Sequence, residues 1–115
     1  MRWSLAAEKK ECSGSEKPKG KLQSVDACAY KCKGEASMFI FGTEDFGESV
    51  CNRDGCNCYC ETSAKEQGMC DMIDHNGYRL YRYTSGDYHT LYNKTLLINI
   101  IYFSSYLTHI FRIFL

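Results

Sequence analysis

Eight cysteines in a chain of 115 residues constrain what it can fold into, and half of them fall between Cys51 and Cys60. Within that stretch Cys56, Cys58 and Cys60 alternate with Asn57 and Tyr59. On an extended strand their sulfurs face one side and the intervening residues face the other. A side lined with sulfur has to meet other sulfur. A domain of this length buries only a modest core unless something staples it, and an even cysteine count closes into four disulfides with no thiol left over.

Such bridges persist in oxidising compartments, so the expectation is a secreted or extracellular protein. The rival, a reduced zinc protein, would need Cys-x2-Cys pairs or Cys/His finger spacing, and neither occurs. Lysine plus arginine balance aspartate plus glutamate at 14 each, which produces no field suited to nucleic acid. No nucleic-acid partner and no cofactor is expected. The residues before Cys12 contain no apolar run of the length an export signal needs, so the chain reads as a piece of a longer secreted protein or as lacking its true first segment.

Taken in order, residues 1–11 read as a disordered arm, and the polar, Gly- and Pro-containing composition continues to residue 24 with Cys12 as its tether. Ser24 then offers an N-cap, Asp26 suits the positive end of a helix, and Val25, Cys28, Ala29 and Cys32 recur at helical spacing until Gly34. This predicts a short helix over 25–33 with Cys28 and Cys32 one turn apart on one face. Ser37 to Phe41 is apolar and aromatic, a buried strand. Glu48–Cys51 and Cys56–Glu61 form a hairpin around Asn52-Arg53-Asp54-Gly55. Met69–Ile73 and Tyr78–Thr84 form a second around Asp74-His75-Asn76-Gly77. The last strand sets Arg79, Tyr81 and Tyr83 on one face and Tyr78, Leu80 and Arg82 on the other. The domain covers 12–87, and its class is α+β: a small disulfide-rich fold with one short helix packed on an antiparallel sheet.

Eight cysteines allow 105 pairings. Same-face positions two apart on a strand lie about 6.5–7 Å apart, and positions one helical turn apart about 5–6 Å. A helix lying on the sheet can therefore bond Cys28 and Cys32 to Cys58 and Cys60, in either order. Cys51 and Cys56 face each other across the first turn, and Cys12 and Cys70 remain. The expected set is Cys12–Cys70, Cys28–Cys60, Cys32–Cys58 and Cys51–Cys56.

A leading cysteine, a helix carrying Cys28-Ala29-Tyr30-Lys31-Cys32, the strand Met38-Phe39-Ile40-Phe41-Gly42-Thr43, a cysteine-rich hairpin and a closing cysteine together resemble the PAN/apple domain over about Cys12 to Thr84. The dense Cys51-Cys56-Cys58-Cys60 run departs from the sparser pattern usual there, and the chain looks most like PAN-like modules of extracellular invertebrate proteins. The resemblance implies a helix disulfide-bonded to the central strands, and a non-catalytic role in binding protein or carbohydrate.

Functional candidates are few. His75 follows Asp74 inside an expected turn, where turn chemistry accounts for both. No Gly-x-Ser-x-Gly elbow and no cysteine outside the disulfide count point to catalysis, so the chain is not expected to be an enzyme. The face bearing Arg79, Tyr81 and Tyr83 is the ligand-binding candidate, because tyrosine rings stack on sugars or anchor protein contacts and arginine pairs with carboxylate or sulfate. The plainer reading is a strand whose tyrosines cover the sheet. Residues 88–115 form an apolar tail in which 96–115 is long enough to span a bilayer. The tail reads either as a membrane anchor or as translated AT-rich non-coding sequence. Asn93-Lys94-Thr95 fits a glycosylation sequon. The expected function is an extracellular recognition module for protein or glycan partners; the alternative is a secreted toxin-like or structural disulfide-rich peptide.

Overall fold

A computed structural model of the chain describes residues 2–84. The expectations for residues 85–87 of the domain, the tail, its membrane span and the Asn93 sequon lie outside the described residues.

The chain forms β1 (Trp3–Cys12), β2 (Lys17–Leu22), α1 (Val25–Cys32), β3 (Met38–Gly42), a 3-10 turn at Glu44–Phe46, β4 (Cys51–Asn52), β5 (Gly55–Cys60) and β6 (Met72–Tyr83). The strands make one antiparallel sheet in the order β1-β6-β3-β5-β2, with β4 paired to β5. β3 sits at the centre because it is the most apolar strand and can afford solvent on neither face: Met38, Phe39 and Ile40 are all fully buried. In register, Ile40 lies between Leu80 of β6 and Tyr59 of β5.

Alternation divides the core in two. On the helix side Phe39, Tyr81, Cys58 and Cys60 pack beneath Cys28, Ala29 and Cys32 of α1. On the opposite side Met38, Ile40, Tyr78 and Leu80 pack with Val50 and Cys12. The helix begins where Ser24 Oγ accepts the Ala27 N–H at 3.1 Å, and Asp26 sits in its first turn and Lys31 in its last, both favourable to the helix dipole. The result is the small, disulfide-rich α+β fold that the cysteine pattern implies.

Three expectations are corrected. The disordered arm expected over residues 1–11 is overturned from Trp3 onward, because Trp3–Cys12 pairs with β6 along most of its length. Register shifts between Leu5 and Ala7 and between Glu8 and Lys10, together with Lys9 at φ 57°, break the alternation that would have marked it as a strand. Lys17–Leu22 is likewise a strand, and its Pro18 and lysines suit the sheet edge it occupies.

The second hairpin does not form. β6 runs unbroken through Asn76-Gly77, with the Thr43 N–H donating to the Gly77 carbonyl at 2.8 Å. Gly77 serves close packing instead of a turn, since a Cβ there would lie 2.9 Å from both Phe46 and Val50 side-chain atoms. The first hairpin does turn at Gly55, at φ 122°, and there a Cβ would collide with the Leu22 carbonyl oxygen. Its first strand is shorter than expected, reduced to Cys51–Asn52.

The third correction is the disulfide order. The helix bridges are Cys28–Cys58 and Cys32–Cys60, with Cα separations of 5.5 and 5.2 Å, in place of Cys28–Cys60 and Cys32–Cys58. Two short connections set this polarity. Leu22 ends β2 opposite Cys56, and only Gln23 and Ser24 precede the helix, so α1 must start at the Cys56 end of β5. After α1 the chain enters β3 beside Cys60, which pairs with Phe39, so the helix must finish at that end. Cys12–Cys70 and Cys51–Cys56 are the other two bridges, and no cysteine is free.

Candidate functional site

Arg79, Tyr81 and Tyr83 do share a face, but the helix covers most of it. Tyr83 packs its ring 5.3 Å from that of Phe39, and its hydroxyl donates to the Ala29 carbonyl of α1. Burial pushes its phenol well above the usual range. Tyr81, 9 % exposed, stacks on Phe39 at 5.2 Å and meets the edge of Trp3 at 5.4 Å. The expected open face of arginine and two tyrosines is therefore corrected: both rings belong to the helix-side core, the plainer of the two readings. Arg79 alone of the three is exposed, and its Nε donates to Glu8 Oε1 at 3.1 Å.

The helix has only 8 residues, and β3 and β6 extend past its first turn. A cleft of about 590 Å³ beside the helix entrance is lined by Phe41, by Arg79 paired beside it, and by Tyr81. Gln23 and Val25 at the helix entrance, Thr43, Glu44 and Asp45 after β3, and Asn52 with the Cys51–Cys56 bridge also line it. Gln23 Nε2 donates to the Asp54 carbonyl and Asn52 Oδ1 accepts the Asp54 N–H, both at 2.8 Å. Gln23 Oε1 and Asn52 Nδ2 take no part in those bonds.

A second cleft of about 410 Å³ adjoins it, lined by Glu8, Lys9, Phe46 and Asn76, and the two share Thr43, Asp45 and Arg79. Arg79 thus borders both hollows while its Nε pairs with Glu8. Aromatic rings together with carboxylate, amide and guanidinium groups in one cleft are suited to a ligand with apolar faces and polar edges.

Arg79 and Tyr81 were legible as candidates. Phe41, Thr43, Glu44, Asp45, Gln23 and Asn52 were not, since they come from three separate segments that only the sheet brings together. His75 lies within β6 and not in a turn; its Nδ1 accepts the Gly77 N–H at 3.1 Å and its ring stands edge-on to Tyr78 at 4.6 Å. Cys28, Cys32 and Cys58 place their sulfurs within 4.8 Å of one another, yet all three are held in disulfides and offer no thiolate to a metal.

Four disulfides in so small a unit are the mark of an oxidising, secreted or extracellular setting. No helix among the described residues is long and apolar enough to cross a membrane. Compared with known proteins, the chain matches no protein-family model, no curated protein and no solved structure.

Proposed function

We propose that the chain is a secreted or cell-surface recognition module of PAN/apple-like type, without catalytic activity, that holds an extracellular carbohydrate or protein segment in the paired clefts around Arg79. The observation that carries this reading is the cleft of about 590 Å³ that brings Phe41 and Tyr81 together with Arg79, Glu44 and Asp45. A helix disulfide-bonded to the sheet accords with the PAN/apple resemblance, and the bridges hold the cleft walls in place without a large core. Burial of Tyr81 and Tyr83 favours a second reading, a structural or toxin-like disulfide peptide whose aromatic residues serve packing alone.

Glycan and protein arrays probed with the oxidised full chain separate the two. The recognition reading expects a ligand whose affinity falls about tenfold or more in Arg79→Ala and in Asp45→Ala, both substitutions at exposed positions on the cleft. Silence on both arrays, or a ligand indifferent to both substitutions, overturns it in favour of the structural peptide.

A further inference from the structure

The four bridges differ in what surrounds them. Cys28, Cys32, Cys58 and Cys60 are sealed in the core with Ala29 and Phe39, so neither helix bridge meets solvent. Cys12–Cys70 meets it through half-buried Cys70, which borders a hollow of about 380 Å³. Cys12 itself packs in the second core cluster, with its Sγ 3.8 Å from Met38 Sδ. At Cys51–Cys56 the first cysteine is half-buried and both line the cleft of about 590 Å³.

Opening a disulfide by exchange needs a sulfur within reach of the attacking thiolate and a second sulfur able to leave with negative charge. Expelling Cys12 would place a thiolate among apolar side chains, where burial raises its pKa and makes it a poor leaving group. Cys56 leaves beside the cleft instead. The fold also depends least on this bridge, whose cysteines are 5 residues apart, against 58, 30 and 28 for the others. With a loop-closure contribution of 1.5R ln n, it shifts the folding equilibrium about 13- to 40-fold less than any other bridge. Cys51 and Cys56 are direct partners across β4 and β5, and neighbouring bonds hold those strands without it. The Asn57 N–H donates to the Val50 carbonyl at 2.8 Å, Asn57 Nδ2 to the Ser49 carbonyl at 3.1 Å, and Lys21 Nζ to Asn57 Oδ1 at 2.8 Å. The two sulfurs therefore stay opposite each other once their bond is open.

We infer that Cys51–Cys56 is a thiol-exchange site, at which a small monothiol adds covalently to Cys51 on the cleft wall while the fold and its other three bridges stay closed. The monothiol gives up its proton and attacks Cys51 Sγ as a thiolate. A mixed disulfide forms, the Cys51–Cys56 bond breaks, and Cys56 leaves as a thiolate that takes up a proton. A second thiolate attacking the added sulfur releases the monothiol's own disulfide and leaves Cys51 reduced, so the protein gains the two electrons that two monothiols lose. Attack by Cys56 on the mixed disulfide restores the bridge. The exchange needs no other ligand in the cleft, so it stands apart from the recognition reading.

The oxidised full chain, held without denaturant in 2-mercaptoethanol, tests this; the probe carries no charge to meet Glu44 and Asp45 in the cleft. Samples are quenched with acid, alkylated and mapped by non-reducing digestion, with hydrogen exchange followed in parallel. Alkylation of Cys56 and the mercaptoethanol adduct on Cys51 are expected about tenfold or more faster than opening of any other bridge, while the amides of β3 keep their protection. The double variant Cys51→Ser/Cys56→Ser should lose that first phase and retain the other three bridges; if it fails to fold, the wild-type map decides alone. Opening first at Cys12–Cys70 or at a helix bridge overturns the assignment. So does labelling of all the cysteines in one step with loss of β3 protection.

Discussion

Tyr83 shows how one residue changes meaning between chain and fold. Its alternation with Arg79 and Tyr81 was readable, and so was the opposite face of Tyr78 and Leu80. What the alternation could not say is which face lies under the helix. The Tyr83 hydroxyl donates to the Ala29 carbonyl, which also accepts the Lys33 N–H at 3.0 Å, so removing the phenol leaves that carbonyl with one donor. Tyr83→Phe is therefore expected to lower stability by about 1 kcal/mol, as seen in urea unfolding, with no effect on ligand affinity. An unchanged midpoint accompanied by lost binding would return Tyr83 to the surface role its sequence position first suggested. Gly77 carries the same lesson: Asn-Gly is a strong turn signal, but here the missing Cβ is what lets Phe46 and Val50 approach β6.

At the scale of elements, α1 is the best-predicted part of the molecule, since its cap, its first-turn acid and its cysteine spacing are all local features. Its direction on the sheet is not local. Helix spacing and strand spacing fit equally well in either sense, and the choice depends on β2, which the lysines, proline and glycine of 17–22 disguise as a linker. Chymotryptic mapping under non-reducing conditions checks the outcome, because Tyr30 separates Cys28 from Cys32 and Tyr59 separates Cys58 from Cys60. The fragment ending at Tyr30 should remain linked to the one ending at Tyr59. A link from the Tyr30 fragment to the one beginning at Cys60 would reverse the helix. The cleft is also an element-scale feature: its lining is drawn from the helix entrance, β3 and the turn after it, the β4–β5 hairpin and β6.

For the whole molecule, stability should depend on pH in an unusual sense. Burial, then the Glu16 carboxyl, push Glu61 up to about 8, against a usual value of 4.5. The folded state therefore holds a proton that the unfolded chain releases. The stabilisation is fully present below about pH 4.5 and is lost as pH rises through about 8, at up to about 1.4 kcal/mol per pH unit. Glu35 and Asp74 act in the opposite sense, because their lysine partners lower both carboxyls, but these pairs are exposed and weak. Thermal melts should thus show a midpoint falling between pH 5 and pH 8 in the wild type and nearly level in Glu61→Gln. A wild-type midpoint that climbs over that range would mean Glu61 is ionised in the fold.

The sequence by itself determined the oxidised scaffold, the capped helix with its two cysteines, the buried central strand, the sulfur-bearing face of Cys56, Cys58 and Cys60, and the turn at Gly55. Each of these is written in spacing and residue type over a few neighbouring positions. Only the tertiary structure decided that Trp3–Cys12 forms an edge strand of the sheet, that α1 runs from Cys58 toward Cys60, that two tyrosines face the core, and that Glu61 is buried against the Cys12 N–H. Those outcomes rest on strand pairing and burial between segments far apart in the chain, where a bulge or a run of lysines hides the local pattern and the partner strand supplies the constraint.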